Sequence, residues 1–468
     1  MSRIDVAVAF YALIYPICFF FTANVFPAYE RFGLRWQALC VSALLSFSTL
    51  ILERKSAGRY WDWLKQSPFS LVLPAGFLWL FVLGVVHGFT GDQMDGLVSG
   101  CFALIMMPLG FYCWPRSSVN LFSRAIALSL VLGLLLENTF LSLYAFKGLS
   151  PNFTFLFAPN MPRLFMNVRD GNTLAVGASI LAFQFLNALP GSVFKFSTNT
   201  GLVSARSWMV GFLLMTAVFY NGFLTQGRGL FVSIFGGLLG VLLCSCMPLM
   251  KWVKIALASL LSLVSGWCLW ALFNVLLAKQ STAAGLGFNG MVARESGGRF
   301  ELWSAWWNSY VSKSLVFGHG LGIHPIEFLT DTASKNRTPH NLVFQLLTDS
   351  ALLGLLFVAL LVFIALRQIR GLNLPLKQVC SYSIFSVGLY STVAATLFWP
   401  TGVWICTLFP ALLGRVDSLA EENGTSPVRG VSGWILMVLL LAFACFLQVL
   451  LVSGKQILMI PPQWLSAS

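Results

Sequence analysis

Charge is what this chain has least of. Only 10% of its 468 residues are charged, 57% are hydrophobic, and the mean hydropathy is +0.81. Soluble domains carry roughly 25% charged residues, so a water-soluble globular fold is excluded as the expected class. Carboxylates are scarcer than cations, with 16 Asp and Glu against 29 Lys and Arg, and there are only four histidines. Outside the apolar runs Glu295, Glu301 and Asp331 have no metal-binding spacing, so metal-dependent phosphate chemistry is not expected, nor is any cofactor. All ten cysteines fall in or at the ends of apolar runs, which argues against a disulfide framework and against a cysteine metal site. No internal repeat is visible, and the apolar runs are almost free of ionisable groups apart from Glu137 near the end of one. Secondary transporters usually place such groups and broken helices at mid-membrane, so a lipid or glycan transporter is the less favoured class. A non-catalytic membrane scaffold is less favoured still.

What the chain does have is a succession of apolar runs, each near the roughly 20 residues that a spanning helix needs. They lie near 5–27, 37–52, 67–86, 98–113, 125–140, 173–189, 207–222, 230–247, 255–278, 341–366, 378–397, 402–414 and 431–452. The first is too long for a signal-peptide core and is expected to be retained. The run at 402–414 is short, follows Trp399-Pro400 and has the character of a re-entrant segment. The expected fold is therefore all-α. Residues 1–468 form a single integral membrane domain, a polytopic bundle of about 12 (12–13) transmembrane helices with a large, partly helical loop at 279–340.

Lysine and arginine set the orientation. With a cytoplasmic N-terminus, Arg3 and the loops 53–66, 114–124, 190–206, 248–254, 367–377 and 415–430 hold 16 of the 29 basic residues. Six of the others sit in the long 279–340 loop, which escapes the rule, leaving 7 on the outside. The net charge of +13 follows in part from this inner excess, which suits anionic lipid and needs no nucleic acid.

The outer cations that defy the bias carry more information: Arg163 and Arg169 in the 141–172 loop, Arg228 between two glycines in LTQGRGL, and Arg294 and Arg299 in the long loop. A snorkelling interfacial arginine is the plain alternative for each. The long loop itself is patterned. RFELWSAWWNSY spaces Leu302, Trp303, Trp306, Trp307 and Tyr310 as a helix would. Such a helix suits either the membrane interface or packing on the bundle. FGHGLG follows, its glycines at 318, 320 and 322 permitting tight turns or close backbone approach. The loop closes on His340, just before a span at headgroup depth, where an imidazole can exchange a proton near neutral pH. His87, His319 and His324 stand outside any such constellation and are expected to be structural. Arginines with one histidine and no carboxylate cluster suit an anion, because guanidinium matches phosphate oxygens in bidentate fashion.

The ordered set, Arg228 before a span, GRFELW in a long outer loop, GxGxG at 318–322, then His340-Asn341 followed by LLTDSALLG, resembles the O-antigen ligase and O-antigen polymerase superfamily. That superfamily includes related pilin and protein O-oligosaccharyltransferases. MPRLFMNVRDGNTL at 161–174 is similar to an element found before a span in the protein-glycosylating members, with Met161 in place of asparagine and Arg163 kept.

The resemblance implies a metal-independent glycosyltransferase in the bacterial cell inner membrane, with a periplasmic active site and undecaprenyl-diphosphate-linked glycan as donor. It implies that Arg228 and Arg299 hold the diphosphate and that His340 serves the acceptor hydroxyl or the donor, with Arg163 assisting. Arg169 and Arg294 join the diphosphate-binding set from charge and location alone. Three acceptors are consistent with it: lipid A-core oligosaccharide, making this an O-antigen ligase of lipopolysaccharide biosynthesis; a type IV pilin or other protein hydroxyl; or the growing glycan itself.

Overall fold

The computed structural model of the chain describes residues 127–142 in large part, 168–187, 200–225, 227–244, 247–277, 299–319, 341–370 and 374–393, with a few helical residues between 78 and 86 and two short strands. The expected spans 5–27, 37–52, 98–113, 402–414 and 431–452 lie outside the described residues. We number the helices α1 (helical within 127–142, with Leu130–Thr139 continuous), α2 (Val168–Leu186), α3 (Thr200–Thr225), α4 (Arg228–Cys244), α5 (Leu249–Leu277), α6 (Arg299–Ser309), α7 (Leu342–Arg370) and α8 (Leu374–Val393). Each of the corresponding apolar runs folds as a helix within a few residues of its expected bounds. Besides helices, the described residues hold one two-rung antiparallel ladder, Ile326–Glu327 with Lys335–Asn336, which places Glu327 opposite Lys335.

Helix α2 is the centre of the bundle, with every residue from 171 to 187 buried. It packs on α3, where a side chain at Gly211 would meet Leu186, and on α8, where Phe183 stacks on Tyr382 at 4.4 Å. The Tyr382 hydroxyl donates to Ser179 Oγ at 3.2 Å. α4 and α8 run antiparallel and very close. A Cβ on Gly237 would fall 2.8 Å from the Tyr382 ring, one on Gly240 would overlap Phe385, and Ser233 and Ser386 hydroxyls meet at 2.7 Å. Small residues at a helix interface allow this approach, which in lipid replaces the hydrophobic effect as the source of cohesion.

Among the described helices, α5 makes its larger contacts with α3 alone. The Ser262 hydroxyl donates to the Phe212 carbonyl at 3.3 Å, and Gly266 sits on the α3 backbone, its Cβ position 3.0 Å from Tyr220 N. The other face of α5 exposes Leu257, Leu261, Val264, Trp267 and Leu272. An apolar surface of that size is not a solvent surface. Ala205–Thr225 and Leu249–Phe273 are long and apolar enough to cross a membrane.

α7 departs from expectation. Its run LLTDSALLG reads as one uninterrupted helix, yet Ala351 breaks it with φ 56° and ψ −154°. The cause lies upstream, in the turn at Gly318. Gly318, at φ +67°, lets the 315–319 turn approach until a Cβ there would be 2.6 Å from the Asp349 carbonyl. The His319 amide then donates to the Thr348 carbonyl at 2.7 Å, and the Leu352 amide donates to the Leu315 carbonyl at 3.3 Å. The turn thus supplies partners for the backbone groups that the break releases, as an apolar setting requires. A non-glycine residue in that region costs roughly 1–3 kcal/mol.

Candidate functional site

Three candidate residues stand at the beginnings of helices. Arg228 is the first residue of α4 and is exposed. Arg299 is the first residue of α6, and Arg169 is the second of α2. Asn341 caps α7, its Oδ1 accepting from the amides of Val343 at 2.9 Å and Phe344 at 3.4 Å. Arg163, Arg294 and His340 lie outside the described residues, and so do His87 and His324.

Two of these starts are joined at one place. Asn172, one turn after Arg169, accepts a hydrogen bond from the Thr225 hydroxyl at 2.8 Å. It also packs so closely on the α3–α4 turn that a Cβ on Gly227 would fall 2.7 Å from its side-chain amide. The turn closes with the Gly227 amide on the Gly222 carbonyl at 2.9 Å, and Arg228 follows at once. On its other side Gly229 faces Val393 and Tyr390 of α8. The glycines flanking Arg228 are therefore sites of helix contact, and they seat the arginine where α2, α4 and α8 converge.

The other two starts are joined by aromatic packing. Trp303 stacks on Phe344 at 5.8 Å, and the Trp306 indole N–H donates to Thr348 Oγ at 2.7 Å. Contacts one turn apart on each helix advance together, so α6 and α7 run side by side in the same direction. Arg299, one turn before Trp303, and Asn341, at the start of α7, share an end of that pair. Leu302, Trp306, Val311 and Leu347 form its small core, while Phe300 and Trp307 stay exposed. One face of this helix thus packs on α7. The His319 ring Nε2 lies 2.8 Å from the Tyr310 carbonyl and so must donate, which ties the glycine turn to the end of α6. Burial pushes the Tyr310 phenol above its ordinary range. α8 packs on both α4 and α7.

Reasoning from sequence did not find Asn172, Thr225 or the Trp306–Thr348 bond. Only the two polar residues of NGFLT, Asn221 and Thr225, in an otherwise apolar run signal the first pair. Glu137, expected near a helix end, is fully buried, with its carboxylate oxygen 2.8 Å from the Cβ position of Gly171 in the first turn of α2. Asp349 is also fully buried and accepts from Gln345 Nε2 at 2.9 Å.

The arrangement presents cations on the positive ends of helices. Each helix start carries the equivalent of roughly half a positive charge and amides with no partner in the helix. Arginine added there makes a setting for an anion of more than one charge. Comparison with family models, with curated proteins and with solved structures gave no match to this chain.

Proposed function

We propose that the protein is a glycan transferase of the bacterial inner membrane, built from 12–13 spans, that works at its periplasmic face. It moves an O-antigen-type glycan from undecaprenyl diphosphate onto an acceptor hydroxyl. Lipid A-core oligosaccharide is the leading acceptor. A pilin or other protein hydroxyl is the second reading, favoured by the element at 161–174, and chain growth of the glycan itself is the third. The observation that carries the proposal is the placing of Arg169, Arg228 and Arg299 on helix starts, with His340 immediately before a fourth.

In this reaction the acceptor oxygen attacks the anomeric carbon while the bond from that carbon to the diphosphate oxygen breaks. Undecaprenyl diphosphate leaves with the bonding pair, and the hydroxyl proton passes to His340. Charge grows on the diphosphate as the bond lengthens. Arg228 and Arg299, with Arg163, Arg169 and Arg294 around them, stabilise that charge, and losing one such contact lowers the rate roughly 10²–10³-fold. A positioned base contributes about 10²–10⁴-fold more.

The test incubates purified protein with one lipid-linked glycan and, in turn, lipid A-core, pilin and donor alone, without any gradient. Product on one acceptor is expected. No product with any of them sinks the transferase reading. Full activity of purified His340→Ala removes the base assignment, and full activity of Arg228→Lys removes the bidentate one.

A further inference from the structure

The turn that follows α6 carries three consecutive large apolar side chains on its outside: Leu315 is 43% exposed, Val316 55% and Phe317 44%. Their backbone is firmly held. The Leu315 carbonyl accepts from the Leu352 amide, the His319 amide donates to the Thr348 carbonyl, and Val311 is buried in the small core between α6 and α7. Protein therefore fixes the main chain while the three side chains turn away from it.

Depth along α7 says what they face. After Asp349 the next charged residue of the chain is Arg367. A hydrocarbon layer of about 30 Å takes about 20 residues of helix. Counted back from Arg367, a stretch of about that length begins at Leu347. The turn meets α7 at Thr348, Asp349 and Leu352, so it lies inside that boundary, by up to roughly 8 Å.

The exposure of α7 gives the same level independently. From Asn341 to Ala351 every residue is buried or half-buried; Leu352 is the first exposed one, and Leu353, Leu356, Leu360 and Phe363 continue an apolar stripe beyond it. On a span such a stripe faces acyl chains. The bond from the Leu352 amide to the Leu315 carbonyl makes the turn the upper end of that stripe.

We propose that α6 and the turn after it form a re-entrant segment, which enters the leaflet on the Asn341 side of the membrane and sets Leu315, Val316 and Phe317 among acyl chains. This does not depend on the transferase reading. The surrounding chemistry agrees with it. Lys313, exposed just before the tip, can lay its stem along the acyl chains and reach the lipid phosphates. Trp307, 43% exposed, suits the interfacial belt, and Glu301, Ser304 and Asn308 form a polar exposed edge on α6. Non-helical backbone at such depth requires protein partners, which the two bonds to α7 supply. Arg299 stands at the other end of α6, roughly 15 Å from the tip side, so insertion sets the height of that arginine above the hydrocarbon.

The experiment uses the full-length protein in phosphatidylglycerol nanodiscs. A nitroxide is attached through a genetically encoded keto amino acid at Val316, Phe317, Asn308 or Leu261, one site at a time. Collision with oxygen, which concentrates in hydrocarbon, and with a neutral nickel chelate, which stays in water, is read by power saturation. The oxygen-to-nickel ratio at Val316 and Phe317 is expected to exceed that at Asn308 by roughly threefold or more and to approach that at Leu261 on the outer face of α5. Val316→Asp is expected to bring the ratio at Phe317 down to that at Asn308, because a carboxylate draws the tip out of hydrocarbon.

A ratio at Val316 equal to that at Asn308 puts the tip in water and overturns the inference. Slow collision with both reagents puts it against protein, such as a second copy of the chain, and overturns it equally. A benzophenone side chain in place of Phe317, close to it in shape, gives a second reading in the same nanodiscs. Light-induced adducts with phosphatidylglycerol support the insertion; adducts with protein alone, or none, reject it.

Discussion

Among the described residues, the two helices long and apolar enough to cross a membrane differ in a way that inverts the rule of soluble proteins. Ala205–Thr225 in α3 is the less apolar, with a mean hydropathy of 1.4, and is 61% buried; Leu249–Phe273 in α5 has 1.9 and is 28% buried. The more apolar helix faces outward. In lipid there is no gain in hiding leucine, whereas an exposed amide or hydroxyl is costly. α3 therefore turns Asn221 towards Asn138 of α1 and Thr225 towards Asn172 of α2, and the second contact brings α2 to the Arg228 turn.

The sharpest way to break this comparison is a charge on the outer face of α5. Leu261, near the middle of that helix, is 59% exposed. Leu261→Arg is expected to cost about 3 kcal/mol of insertion, measured as glycosylation-reporter insertion or membrane yield. If that face meets water, the yield will not change. Next in size, Asn221→Leu on α3 deprives Asn138 of its partner. A loss of about 1 kcal/mol is expected in the thermal midpoint in detergent, in line with buried polar contacts between membrane helices. Ala351→Gly tests a helix that is broken where α3 is continuous. Relief of its positive φ is expected to stabilise by about 1 kcal/mol, and any destabilisation would contradict the strain. Smallest of all, Leu257→Ala on the outer face of α5 should change stability by less than about 0.5 kcal/mol, since no packing is lost; a core-like loss of about 2–5 kcal/mol would place that face against protein.

The position of each described helix was legible because apolar runs separated by charged or glycine-rich breaks are enough to define one. The spacing of Leu302, Trp303, Trp306 and Trp307 likewise announced α6, though not which of the tryptophans is buried. Trp306 is fully enclosed and Trp307 is 43% exposed, a difference set by Thr348 on another helix. The break in α7 was hidden for the same reason: nothing in the run around Ala351 disfavours a helix, and its cause is a turn at Gly318. Arg228 stood out through its two glycines, and the structure gives those glycines a physical role, one against Asn172 and one against Val393. Which helix starts would meet could not be read, because Asn172 and Thr225 are 53 residues apart and no pattern in the sequence pairs them.

The central claim, that these helix starts form one site for a lipid diphosphate, is tested most directly by binding. Affinities of the purified protein and of Arg228→Ala are measured for undecaprenyl diphosphate and undecaprenyl monophosphate in the same nanodiscs. The account predicts that the wild type prefers the diphosphate at least tenfold and that Arg228→Ala loses most of that preference while its thermal midpoint is unchanged. Equal affinity of the wild type for the two lipids, or an unaltered preference in Arg228→Ala, would contradict it.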